Sequence, residues 1–120
     1  MTEEQIKLFK DTFLAMILDQ MHSNIYISDT ETDEILYMNQ TMKRAFGLED
    51  PEGKLCWKVL QKGMDRRCDF CHIDLLKKEE EGNESTWRES NALTGRSYQN
   101  YDSLLRWDGR TYHIQNSVDV

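Results

Sequence analysis

The stretch that most constrains the fold is the last third of the chain, "ESTWRESNALTGRSYQNYDSLLRWDGRTYHIQNSVDV". Tyr101, Ser103, Leu105 and Trp107 alternate along one face of a long strand, and Tyr112, Ile114 and Val118 share a face of the next. Asp108 and Gly109 between them are a strong two-residue hairpin signal, because both positions of such a turn need backbone angles that Asp and Gly tolerate. "LTGR" at 93–96 forms a second turn and joins this pair to a strand around Trp87. Three consecutive antiparallel strands follow.

A second hairpin precedes them in "NIYISDTETDEILYMN". Ile25 and Ile27 face one way and Tyr26 and Ser28 the other, while Ile35 and Tyr37 alternate with Leu36 and Met38. The polar "DTETDE" between the runs is turn material. Asn39 then stands before a short helix with Met42, Ala45 and Phe46 on one face, closed by Gly47. Leu55, Cys56, Val59 and Leu60 form a small helical face before Gly63. Ile73 and Leu76 begin another that ends at Gly82. Helix, two strands, short helices and three strands make an α+β domain, with a five-stranded antiparallel sheet and short helices on one face.

Residues 1–22 read as an N-terminal amphipathic helix. Thr2 and Gln5 have the spacing of a capping box. Ile6, Phe9, Phe13 and Met16 recur at steps of three and four, and Leu14, Ile17, Leu18 and Met21 widen the stripe. The stripe either packs on the domain's own core or pairs with the same helix of a second copy, so Ile6, Phe9, Phe13 and Met16 are the candidate homodimer contacts.

A chain of 120 residues fits one domain. Its net charge of -7 repels phosphate backbones and anionic membranes alike, which argues against a nucleic-acid partner. No apolar run approaches the roughly 20 residues that span a bilayer. The opening "MTEEQIKLFK" lacks the layout of a signal peptide, so a cytoplasmic location is expected.

The order of elements and several motifs resemble a PAS domain, the sensor module of bacterial signalling proteins, over essentially the whole chain. "EILYMNQTMKRAFG" is similar to the second strand and following helix of such domains, with Asn39 at the family's asparagine cap. "GKLCWKVLQKG", "RRCDFC" and the C-terminal meander resemble a cysteine-containing subgroup often joined to diguanylate cyclase or histidine kinase output domains. Asp119 and Val120 match the start of the junction that leads to such an output. The resemblance implies residues 23–120 as the sensor domain of a longer signalling protein. It implies no catalysis in this stretch, and a small molecule held between sheet and helices or a signal passed by association of subunits.

"CDFCH" at 68–72 has the C-x-x-C-H spacing of covalent haem attachment, and Cys56 lies further upstream. Four readings compete. Cys56, Cys68 and Cys71 form a zinc or iron–sulfur site, whose fourth ligand is the adjacent His72 or one of the more distant His22 and His113. Cys68 and Cys71 form a reversible thiol switch. Haem attaches at the pair with His72 as axial ligand, which normally requires export, and the resembled subgroup lacks that histidine. The cysteines pack as small hydrophobes. Three cysteines at uneven spacing in a reducing compartment argue against a disulfide framework. A haem or iron–sulfur redox carrier on the same fold is the alternative function. Trp57, Trp87 and Trp107 are expected to pack, Tyr98, Tyr101 and Tyr112 to bridge core and solvent, and His113 to face solvent. The asparagine–cysteine–arginine run of cysteine-adduct flavin photosensors is absent.

Overall fold

The structure is a computed structural model that describes residues 2–63 and 84–120. The expected helix with Ile73 and Leu76 lies outside the described residues. Helices α1 (Glu3–Lys10) and α2 (Phe13–Asp19) lead into strands β1 (Asn24–Asp29) and β2 (Ile35–Met38). Helices α3 (Gln40–Phe46) and α4 (Cys56–Val59) follow, then β3 (Glu84–Ser90), β4 (Ser97–Trp107) and β5 (Arg110–Asp119). All strand pairs are antiparallel in the order β2-β1-β5-β4-β3, so the last strand is central and joins the two hairpins into one sheet.

The first helix departs from the continuous one expected over residues 1–22. The capping box does form at its start: Thr2 Oγ1 accepts from Gln5 N at 3.2 Å, and Thr2 N donates to Gln5 Oε1 at 3.0 Å. The chain then breaks at Asp11 and Thr12, because the Thr12 hydroxyl accepts from Ala15 N at 3.3 Å and caps a new helix. The break rotates the stripe. Ile6 packs inward against the cluster of Ala15, Ile27, Leu36, Tyr37 and Tyr112, whereas Phe13 is 75% and Met16 61% exposed. The Phe9 side chain lies outside the described residues.

Sheet register assigns the two faces. Ser28 pairs with His113, Tyr26 with Gln115 and Asn24 with Ser117, and across β4 these continue to Leu104, Asp102 and Asn100. Cross-strand partners share a face, so these residues all line one side, here called inner. Tyr26 there joins Ile35, Met38, Met42, Cys56 and Leu60 in an apolar cluster closed by α3 and α4. Ile27, Leu36, Tyr37 and Tyr112 form a second cluster with Ala15 of α2. Helices therefore cover both faces, the short ones inside and the N-terminal pair outside. Ile35 and Met38 are fully buried, each worth about 2 kcal/mol by removal from water.

Asn39 ties the two sides together. Its Oδ1 accepts from Met42 N and from Ile25 N, each at 3.1 Å, so one oxygen caps α3 and holds β1. Its Nδ2 donates to Leu18 O at 3.1 Å and Ser23 O at 2.9 Å. Gly47 ends α3 in a left-handed conformation (φ 65°), the reason glycine stands there. Behind α3, Lys43 and Glu52 form a buried ion pair at 2.7 Å that fixes the following loop. Gly53 lets α1 approach: a Cβ there would meet Ile6 Cδ1 at 3.3 Å.

Candidate functional site

The inner face of β4 and β5 is polar where a core is ordinarily apolar. Asn100, Asp102, His113, Gln115 and Ser117 are all buried on it. His113 Nε2 lies 2.5 Å from Asp102 Oδ1, which also accepts from Gln115 Nε2 at 2.9 Å. The Trp87 indole donates to the other oxygen, Oδ2. Burial pushes the Asp102 carboxyl up, but His113, Gln115 and Trp87 together outweigh it and hold the group below the usual carboxylate range. The carboxylate is thus kept charged inside the domain.

A second chain of contacts runs alongside. Ser117 donates to Asn100 Oδ1, and Asn100 Nδ2 donates to Glu89 Oε1 at 2.9 Å. Glu89 Oε2 accepts from Gln61 at 2.7 Å and from Asn91 at 3.1 Å, and Asn91 also donates to the Leu60 carbonyl at 3.0 Å. The edge strand is thereby laced to the end of α4. Such networks favour one arrangement strongly when complete.

This network is incomplete at two atoms. Ser28 Oγ and His113 Nδ1 are buried without a hydrogen-bond partner among the described residues. They belong to cross-strand neighbours on the inner face. An unpaired buried polar atom costs about 1–3 kcal/mol, so a pair of them on one face calls for an explanation. Because Nε2 must carry the proton shared with Asp102, a neutral His113 ring presents Nδ1 as an acceptor. The Tyr26 ring meets His113 edge-on at 5.7 Å between centroids and fixes its plane.

His113 therefore corrects the expectation that it faces solvent. It is 2% exposed, because pairing with Ser28 turns it inward and its neighbours Tyr112 and Ile114 outward. Tyr101, Leu105 and Trp107 share one face of β4 as their alternation indicates, but that face is the outer one, and Trp107, expected to pack, is 58% exposed. Of the cysteine site, Cys56 is buried in the inner apolar cluster at the start of α4. Cys68, Cys71 and His72 lie outside the described residues. Among the described residues no three His, Cys, Asp or Glu side chains gather at one point. Sequence reasoning missed Asp102, Asn100, Gln115 and Ser117. Their signal was a polar alternation on strands whose other face carries aromatics.

At the opposite end of β1, Asp29 anchors the hairpin turn. Its Oδ1 accepts from Glu31 N at 2.8 Å, and its Oδ2 pairs with the Arg110 guanidinium. Burial raises the Asp29 carboxyl, and the Glu31 amide together with Arg110 lower it further, below its ordinary value.

The strand order, the two helical layers and the asparagine-capped α3 define a PAS-like fold, and solved structures agree. The chain is similar to the PAS domain of nitrogen regulation protein NR(II) from Vibrio parahaemolyticus, at 16% identity and TM-score 0.70, covering 91% of this chain and 99% of that one. It is similar to the PAS domain of an HTR-like protein from Haloarcula marismortui, at 13% identity and TM-score 0.68, covering 89% and 94%. It is also similar to the PAS domain of Bordetella pertussis BvgS, at 17% identity and TM-score 0.67, covering 90% and 84%. No curated protein matches the chain. The family model described as "PAS domain" matches residues 12–85, and the chain belongs to that family.

Proposed function

We propose that this PAS domain is the sensory part, over residues 23–120, of a bacterial signal-transduction protein. It takes a small polar molecule against the inner sheet face and passes the change to a histidine kinase or diguanylate cyclase output. The observation that carries the reading is the pair of unsatisfied atoms, Ser28 Oγ and His113 Nδ1, on an otherwise bonded face. Their chemistry matches a ligand with a hydroxyl or amide N–H that donates to Nδ1 and a second polar atom for the serine hydroxyl. His113 and Ser117 stand on β5, the strand that ends at Asp119, so a ligand held there acts on the strand nearest the output. Solved relatives named for nitrogen regulation and BvgS support the signalling role by fold alone.

The signal is proposed to cross a homodimer through the exposed apolar side chains of α2, with Phe13 and Met16 foremost. A ligand shifts such a system only by binding one arrangement better than the other. Cys56, Cys68, Cys71 and His72 remain a proposed zinc or iron–sulfur site. The position of Cys56 at the start of α4 favours this second input, since metal or oxidation there acts on a helix that closes the inner cluster.

A thermal-shift screen of small polar metabolites on the whole chain tests the sensory reading. A ligand present at 100 times its Kd adds about 2.7 kcal/mol, which raises the melting temperature by several degrees. The shift should shrink in Ser28→Ala. If no compound raises the melting temperature, or Ser28→Ala responds as the wild type does, the inner-face assignment is wrong.

A further inference from the structure

A separate cleft of about 420 Å³ opens between α3, the start of β1 and the ends of β4 and β5. It shares Ser117 with the inner-face network and none of the unsatisfied atoms there. Its volume lies within the range of small-molecule sites. His22, Arg44, Arg96 and Asp119 line it together with Asn24 and Ser117. On a chain of net charge -7, a cleft with two guanidiniums and one carboxylate runs against the overall field.

Two details give the cleft a ligand chemistry. Asn24 is only 6% exposed and lines the cleft. A side-chain amide offers both a donor and an acceptor to an occupant of the cleft. Arg44 lines the cleft from an exposed position on α3, and its guanidinium carries five N–H donors. Arg96 uses Nη1 on Asp119 at 2.5 Å, which leaves its remaining donors uncommitted.

We propose that this cleft binds a small oxyanion, a carboxylate or phosphate, with Arg44 and Arg96 on its charge and the Asn24 amide on a second polar atom. Guanidiniums suit both groups because their planar forks match two oxygens at once. Arg44 stands in the last turn of α3, whose carbonyl end disfavours an anion, and Asp119 opposes it as well. The expected affinity is therefore modest.

Calorimetric titration of the whole chain with inorganic phosphate and with glutarate tests this. At least one anion should bind saturably with a Kd of about 1 mM, and the tighter of the two identifies the oxyanion class. Arg44→Gln, at an exposed position, should weaken binding about tenfold by loss of charge-assisted bonds. Lys58→Gln removes the same charge from the exposed face of α4 and should change the affinity by less than about twofold, as screened surface charge does. No saturable binding of either anion overturns the proposal, and so does equal weakening by the two variants.

Discussion

His113 Nε2 and Asp102 Oδ1 are 2.5 Å apart with both side chains buried, and the carboxylate accepts two further hydrogen bonds from Gln115 and Trp87. Each bond compensates part of the cost of a charge removed from water. Asp102→Asn keeps the volume but loses the charge and turns one acceptor into a donor facing donors. The variant should be destabilised by about 3 kcal/mol in urea unfolding, with an unchanged m-value.

The pH dependence has a definite sign. Asp102 and Asp29 both have folded values below their unfolded ones. Their contribution is fully present above the unfolded value, about pH 4, and is lost as pH falls through the lower folded values. Wild-type stability should therefore drop on acidification below about pH 4, and Asp102→Asn should show a flatter profile there. Equal slopes in the two proteins would remove Asp102 from the account of acid unfolding.

Asn39 makes four hydrogen bonds from one fully buried amide, to two backbone N–H groups and two carbonyls. An ordinary N-cap lost to alanine costs about 1 kcal/mol. Asn39→Ala should cost about 3 kcal/mol, because Ile25 N and the Ser23 carbonyl lose this partner too, while the Leu18 carbonyl keeps Met21 N. Asn39→Asp, which retains the accepting oxygen and loses both donors, should fall between. Chemical denaturation of the two variants checks the order.

The Tyr37 hydroxyl lies 2.5 Å from Asp19 Oδ1 and 3.1 Å from Ala15 O, pinning α2 to β2. Burial and the neighbouring Asp19 carboxylate push its ionisation well above the ordinary tyrosine value. Tyr37→Phe should lower stability by about 1–2 kcal/mol. Amide exchange should quicken mainly in α2, where the fastening is lost, with β4 and β5 little changed.

The α2 surface carries Phe13, Leu14 and Met16 exposed together. If it is the dimer face, a double change Phe13→Glu and Met16→Glu places like charges across the interface and should convert the dimer to monomer in sedimentation. Fold and melting behaviour of the monomer should persist, since neither side chain belongs to a core cluster.

The architecture was legible because its punctuation is local. The Asp108–Gly109 turn has both residues at positive φ, 51° and 76°, and Thr2, Asn39 and Gly47 cap where their chemistry says. The helix break was harder to read, since Thr12 falls inside an apolar pattern that continues across it. The inner-face site was hidden for a different reason. Asn100, Asp102, Gln115 and Ser117 alternate as a solvent face would, while Tyr101, Leu105 and Trp107 on the other side look like core. Only the pairing of β5 with β1 reverses that assignment, and register between distant strands is set by tertiary packing.

The most direct test of the central claim is the side-chain ¹⁵N spectrum of His113, recorded on the whole chain alone and saturated with the metabolite that raises its melting temperature most. The account predicts a protonated Nε2 bonded to Asp102 in both spectra and an Nδ1 resonance that moves on saturation, as its lone pair takes a ligand hydrogen. An Nδ1 resonance that stays in place, or an Nε2 without its proton, would contradict it.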